Sequence, residues 1–170
     1  MDLTRLIRDI PDFPKKGIIF KDITPLLGDA AAFSQMTKEL AALYRNAGID
    51  KIASIESRGF IIGAAMAAEL GCGFVPVRKK GKLPYKTAQQ EYQLEYGTDM
   101  LEIHTDAVKK GDNVLIVDDV LATGGTAEAV CELVNKLGGN IAGLCFLIEL
   151  KFLNGKEKLK KYKVDSLITY

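Results

Sequence analysis

Two adjacent carboxylates, Asp118 and Asp119, close an apolar run and stand directly before a Gly/Thr-rich turn, in VLIVDDVLATGGT from residue 114 to residue 126. Ionised carboxylates only accept hydrogen bonds, so a neighbouring pair suits vicinal hydroxyl groups. The turn behind them suits the opposite kind of group. Gly124 and Gly125 let successive N–H groups converge, a helix is expected to begin near Thr126, and its N-terminus carries about half a positive charge. Ala122, Thr123, Gly124, Gly125 and Thr126 therefore fit a phosphate monoester, with both threonine hydroxyls as further donors. Acids beside a phosphate cradle would repel the phosphate unless a sugar lies between the two. A ribose 5-phosphate, hydroxyls on the acids and phosphate in the turn, satisfies both halves.

Other chemistries fit less well. No G-x-x-x-x-G-K-[ST] occurs, and GCGFVP lacks the third glycine of a dinucleotide fingerprint and precedes a strand. An acidic turn followed by a Gly-rich connection without any ligand remains the structural alternative. His104 is the one histidine, which argues against a metal role, and Cys72, Cys131 and Cys145 show no C-x-x-C spacing. They are read as buried reduced thiols, since free cysteine usually behaves as a small hydrophobe.

The elements that must hold these residues follow from periodicity. DAAAFSQMTKELAALYRNAG, residues 29–48, reads as a helix capped by Asp29, with Phe33, Met36, Leu40 and Leu43 on one stripe and Gly48 as its stop. KIASIE is a short strand, FIIGAAMAAELG a small-residue helix stopped by Gly71, and GFVPVRK the next strand. Residues 80–92, KGKLPYKTAQQEY, are polar and aperiodic and read as a mobile loop. YQLEYG and DMLEIH form a hairpin, GDNVLIVDD a strand ending at the acids, and TAEAVCELVNKLGG an amphipathic helix. NIAGLCFLIEL is another buried strand, followed by a charged helix near 154–161 and a last strand at VDSLITY. This alternation predicts an α/β fold with a parallel sheet wrapped by helices. Ligands bind such sheets beyond the carboxyl ends of the strands, where Asp118 and Asp119 stand. The segment before Asp29 carries three prolines and two glycines, which exclude a regular element, yet Phe13, Ile18, Ile19, Phe20 and Ile23 need burial. It reads as a small hood over one end of the sheet.

The 170 residues suffice for one domain with a proper core, and 48% hydrophobic with 26% charged residues is an ordinary globular balance. A net charge of +1 gives no global attraction to nucleic acid or an anionic membrane. No run approaches a spanning helix and MDLTRLIRDI lacks a signal-peptide pattern, so the expected setting is cytoplasmic.

At this point the chain resembles a family. VLIVDDVLATGGT is similar to the phosphoribosyl diphosphate signature of the type I phosphoribosyltransferases. DFPKKGIIFKDITPLL, ESRGF, YQLEYG and the Asp-Asp form narrow the resemblance to its adenine-using members, whereas hypoxanthine-type relatives usually show Glu-Asp. The blocks keep family order from about residue 10 to residue 150 without a large insertion.

The resemblance implies a single domain over 1–170, a central mainly parallel sheet flanked by helices, a hood at about 10–28 and a mobile lid at about 80–92. It implies transfer of the phosphoribosyl group from phosphoribosyl diphosphate to adenine, giving AMP and diphosphate. It also implies Mg²⁺ carried by the substrate, with no protein metal cage, and a homodimer. Residue by residue, Asp118 and Asp119 would bind the ribose hydroxyls and Ala122 through Thr126 the 5′-phosphate. Ser57 and Arg58 of ESRGF would meet diphosphate, with a non-proline cis peptide at Glu56–Ser57. Ile19 and Phe20 would flank the base with Leu150 opposite, and the Lys21 backbone would read its amine, since a carbonyl accepts from an amino group but not from a 6-oxo group. Arg78, Lys79, Lys80, Lys82 and Lys86 would close over the leaving group, Glu95 would exchange a proton with the purine, and Tyr96 would stand beside it. Two alternatives stay open: a ligand-sensing regulator on the same fold, and a transferase for xanthine or hypoxanthine. The basic stretch KEKLKKYKV reads as a solvated face and not as a nucleic-acid surface.

Overall fold

The computed structural model describes residues 1–93 and 97–170. Near-continuous apolar runs build the centre. β3 (Lys51–Ile55), β4 (Gly73–Lys79), β7 (Asn113–Leu121), β8 (Asn140–Glu149) and β9 (Val164–Thr169) lie parallel in the order β4-β3-β7-β8-β9. β6 (Thr98–His104) joins β4 antiparallel, and β5 (Thr87–Gln93) pairs antiparallel with β6 at the edge. The seven-stranded sheet is therefore mainly parallel, as expected.

Both faces of β7 are covered, which is why its sequence shows no polar alternation before Asp118. Leu115 and Val117 pack with Met36, Leu40, Ile62 and Met66 from α2 (Ala30–Ala42) and α3 (Arg58–Leu70). Val114 and Ile116 face Val130, Leu133 and Val134 of α4 (Gly125–Lys136). α3 comes close to the sheet because Gly63 lies against Ser54, whose hydroxyl oxygen lies 2.7 and 2.8 Å from the carbonyls of Gly59 and Val117, which share its one proton.

Five expectations need correction. The helix from Asp29 stops at Ala42, well before Gly48, and Leu43 is exposed. The chain turns there to send Tyr44 inward, where its hydroxyl donates to the Leu144 carbonyl at 3.1 Å. Residues 80–92 are not all loop, since β5 begins at Thr87 and pairs with β6 from Thr87↔His104 to Gln93↔Thr98. An edge strand with one half-wet face can be polar, so the apolar period is missing. β7 runs past the acids to Leu121, and the helix near 154–161 is two 3₁₀ turns, Lys151–Leu153 and Gly155–Leu159.

The hood is regular. β1 (Arg8–Pro11) pairs antiparallel with β2 (Ile19–Asp22), and α1 (Thr24–Gly28) follows with Pro25 in its first turn. Its prolines sit at a strand end, in the connecting turn and at a helix start, where no ladder N–H is lost. Ile23 and Leu26 anchor it with 0% exposure, while Phe13, Ile18 and Ile19 stay exposed. Cys131 and Cys145 are buried, Cys72 half-buried, and all three are free thiols. No helix among the described residues is long and apolar enough to cross a membrane.

Candidate active site

β3 accompanies β7 only as far as the Ser54↔Val117 pair, while β8 continues beside β7 to Leu121↔Glu149. The sheet therefore splits at Asp118, and the two acids stand in the split. The Asp119 N–H donates to Asp118 Oδ1 at 2.9 Å, which holds the Asp118 carboxylate against the Asp119 backbone. Gly59 is required beside them, because a Cβ there would come within 2.5 Å of Asp118 Oδ1. Loss of water, and then the negative charge of Asp119, raise the Asp118 carboxyl well above its ordinary value, with Arg58 opposing the rise.

Arg58 enters at the start of α3. Its Nη2 lies 2.5 Å from Asp119 Oδ2, yet that oxygen accepts no aligned hydrogen bond, so the contact is one of charge. Its Nη1 donates to the Lys21 carbonyl at 3.0 Å, and the guanidinium lies 4.4 Å from the centre of the Phe20 ring. Arg58 thus ties the acid pair to the hood. The Glu56–Ser57 peptide before it is cis, as expected.

The turn after the acids has a geometry that can receive an anion. Gly124 holds φ +82° as the residue before α4, and no side chain caps the first N–H groups of that 12-residue helix. The turn is braced from behind by Gly155: a Cβ on Gly124 would run into the Gly155 carbonyl, and one on Gly155 into that of Ala122. Ala122, Thr123, Gly124 and Thr126 line a cleft of about 70 Å³ that also receives Asp118.

Two larger cavities meet this cleft. One, of about 270 Å³, is lined by Ser57, Arg58, Lys79, Asp118, Asp119 and Thr126. The other, of about 830 Å³ and mainly apolar, is lined by Ile19, Lys21, Thr123, Thr126, Leu150 and Tyr170, among others. Thr126 lines all three. Ile19, Lys21 and Leu150 are thus brought together, while Phe20 lies outside the lining and packs edge-on against Phe13 at 5.1 Å. The Lys21 ammonium is held by Asp9 at 2.7 Å and lies 3.6 Å from the centre of the Tyr170 ring.

Three basic residues at or just after the end of β4, Arg78, Lys79 and Lys82, are paired. Lys79 Nζ meets Asp99 at 3.1 Å, and Arg78 and Lys82 both meet Glu56. Glu95 and Tyr96 lie outside the described residues. Among the described residues, no three His, Cys, Asp or Glu side chains gather as a metal site.

Sequence reasoning missed Glu56, Gly155 and Tyr170, and also Tyr92, which lines the cavity of about 270 Å³. Glu56 sits inside ESRGF, and an acid beside an expected phosphate site was a usable signal. The other three depend on tertiary contacts that no local pattern announces.

A family model described as a phosphoribosyl transferase domain matches residues 27–169. The chain is similar to an adenine phosphoribosyltransferase of Geobacter metallireducens, 61% identical over 99% of both chains, and to one of Thermotoga neapolitana, 59% identical over 100% of both. The crystal structure of the adenine phosphoribosyltransferase of Thermoanaerobacter pseudethanolicus superposes with a TM-score of 0.98 at 56% identity, covering 99% of this chain and 98% of that one. That of Saccharomyces cerevisiae, complexed with an imino-altritol bisphosphate and adenine, superposes with a TM-score of 0.92 at 41% identity, covering 97% and 96%.

Proposed function

The chain belongs to the phosphoribosyl transferase family, as an adenine phosphoribosyltransferase that joins adenine to phosphoribosyl diphosphate and releases AMP and diphosphate, and from that premise we propose how its residues divide the work. The observation that carries the assignment is the convergence at Thr126, where an amide-rich turn, an acid-lined cavity and an apolar cavity meet. A sugar phosphate held in the turn presents its hydroxyls to Asp118 and Asp119. Its C1′ then faces both the apolar cavity, which takes the base, and the Arg58 side, which takes the diphosphate.

Displacement at C1′ passes through an oxocarbenium-like state, with positive charge on the sugar and negative charge on the departing diphosphate. Positioning and preorganised charge supply the catalysis. Asp118 and Asp119 hold the ribose and face its developing positive charge. Arg58 turns from Asp119 and the Lys21 carbonyl toward diphosphate oxygens, for which a guanidinium is shaped. That movement frees the Lys21 carbonyl to accept from the adenine amine. Ile19 and Leu150 form the apolar walls around the base, and Lys79 adds charge on the leaving-group side. Glu95 and Tyr96 belong to the proposal on the strength of the resemblance, with Glu95 exchanging a proton with the purine.

Magnesium fits as a substrate-borne ion: Asp119 Oδ2 has acceptor capacity left, and Mg²⁺ favours few carboxylates plus phosphate oxygens. When bound, it supplies charge neutralisation on the diphosphate. A homodimer in the cytoplasm completes the proposal; the free thiols support a reducing compartment.

Replacing both acids, Asp118→Asn with Asp119→Asn, tests the assignment. Hydrogen bonds to charged acceptors contribute about 1.5–3 kcal/mol each, so affinity for phosphoribosyl diphosphate should fall roughly a hundredfold or more while the fold survives. Unchanged affinity by calorimetry would contradict the role given to the pair.

A further inference from the structure

Glu56 carries none of the roles above, yet its side chain is only 9% exposed and stands on the cavity wall beside Ser57 and Arg58. It is the hub of a charge cluster. Oε1 accepts from the Lys79 backbone N–H at 2.6 Å, while Oε2 takes Lys82 Nζ at 2.9 Å and Arg78 Nη2 at 3.3 Å. Burial alone would raise this carboxyl, but the Lys79 N–H, Lys82 and Arg78 together hold it below its ordinary value, so it is an anion. A second observation concerns Arg78. Its Nε is buried and has no hydrogen-bond partner, so Glu56 leaves part of the guanidinium unsatisfied. Two cations and a backbone donor are thus gathered on a one-charge acceptor, on the side of the site that the reading above gives to diphosphate.

We propose that Glu56 is a positioning residue that competes with diphosphate: it holds Arg78, Lys82 and the Lys79 N–H at the leaving-group site and yields them to the phosphate oxygens. The reading rests on the transferase assignment. A diphosphate beside Arg58 offers more charge and more acceptor atoms than one carboxylate, and it can also satisfy Arg78 Nε. Glu56 then takes the cations back as the product departs. The residue thereby weakens diphosphate binding and hastens its release, and it keeps the cations in place between turnovers.

The discriminating variant is Glu56→Gln, which preserves the shape and the acceptor for Lys79 but removes the charge. Titrated calorimetrically with magnesium diphosphate, it should bind about tenfold more tightly than the wild type, equivalent to ~1.4 kcal/mol, with AMP affinity unchanged. In steady state both kcat and KM for phosphoribosyl diphosphate should fall, the pattern of slowed release. Equal or weaker diphosphate binding, with AMP binding intact, would overturn the proposal and leave Glu56 as scaffold. Wild-type protein that formed no AMP would overturn the transferase reading along with it, a different result. Should the variant not fold, carbon-13 NMR of the Glu56 carboxyl in the wild type decides: a shift on adding magnesium diphosphate is expected, and none would contradict the exchange of partners.

Discussion

Asp118 shows how a residue proposed to hold substrate can work against the fold that holds it. Its carboxyl is raised, first by loss of water and then by Asp119, so the folded protein holds that proton at pH values where the unfolded chain has released it. The stabilising contribution is fully present below the ordinary value of 3.8 and is lost as pH rises through the folded value. At neutral pH this carboxyl is therefore a net cost to stability. Asp118→Asn should raise the melting temperature at pH 7 by a few degrees, at about 2–4 °C per kcal/mol for a chain of this size, while weakening substrate binding. The gain should shrink toward pH 4 in parallel scans; a lower melting temperature at pH 7 would contradict it. The two acids and the Gly/Thr-rich turn were legible in the sequence, because each is a residue type whose chemistry follows from its neighbours in the chain, while Arg58 was singled out through the family resemblance of ESRGF. What Arg58 touches was not legible. Its partners, Asp119 and the Lys21 carbonyl, come from β7 and β2, and only tertiary packing brings them together.

At the scale of elements, the site depends on pieces remote from the motif. Gly155, in the 3₁₀ turn after β8, presses against Ala122 from behind, and the room for that contact exists only because neither Gly155 nor Gly124 has a side chain. Gly155→Ala should push the phosphate turn out of line. The expected result is a KM for phosphoribosyl diphosphate raised roughly tenfold or more, since small misplacements at a reacting centre cost heavily, with a smaller change in the KM for adenine. Equal effects on both substrates in steady-state kinetics would contradict this bracing role. The buried strands β3, β7 and β8 and the helix α4 were legible, because continuous apolar runs and a 3.6-residue stripe report burial directly. The polar edge strand β5 and the hood hairpin were not: both keep a wet face, so hydropathy has no period to show there.

At the scale of the molecule, the sheet separates two packed clusters, one under α1, α2 and α3 and the other under α4, and opens at the one place where β3 leaves β7. That split faces the hood on one side and the end of β4 on the other, so on the proposed reading base and leaving group approach the same sugar from opposite directions. The architecture thereby suits a two-substrate transfer. On the proposed reading the hood sets the choice of base, because a carbonyl such as that of Lys21 can accept from an amino group but not from a 6-oxo group. A base panel tests this most directly: the protein is incubated with phosphoribosyl diphosphate, magnesium and each purine in turn, and nucleotide formation is followed. Nucleotide from adenine but not from hypoxanthine or xanthine is the expected result. Nucleotide from the 6-oxopurines, or none from any base, would contradict it.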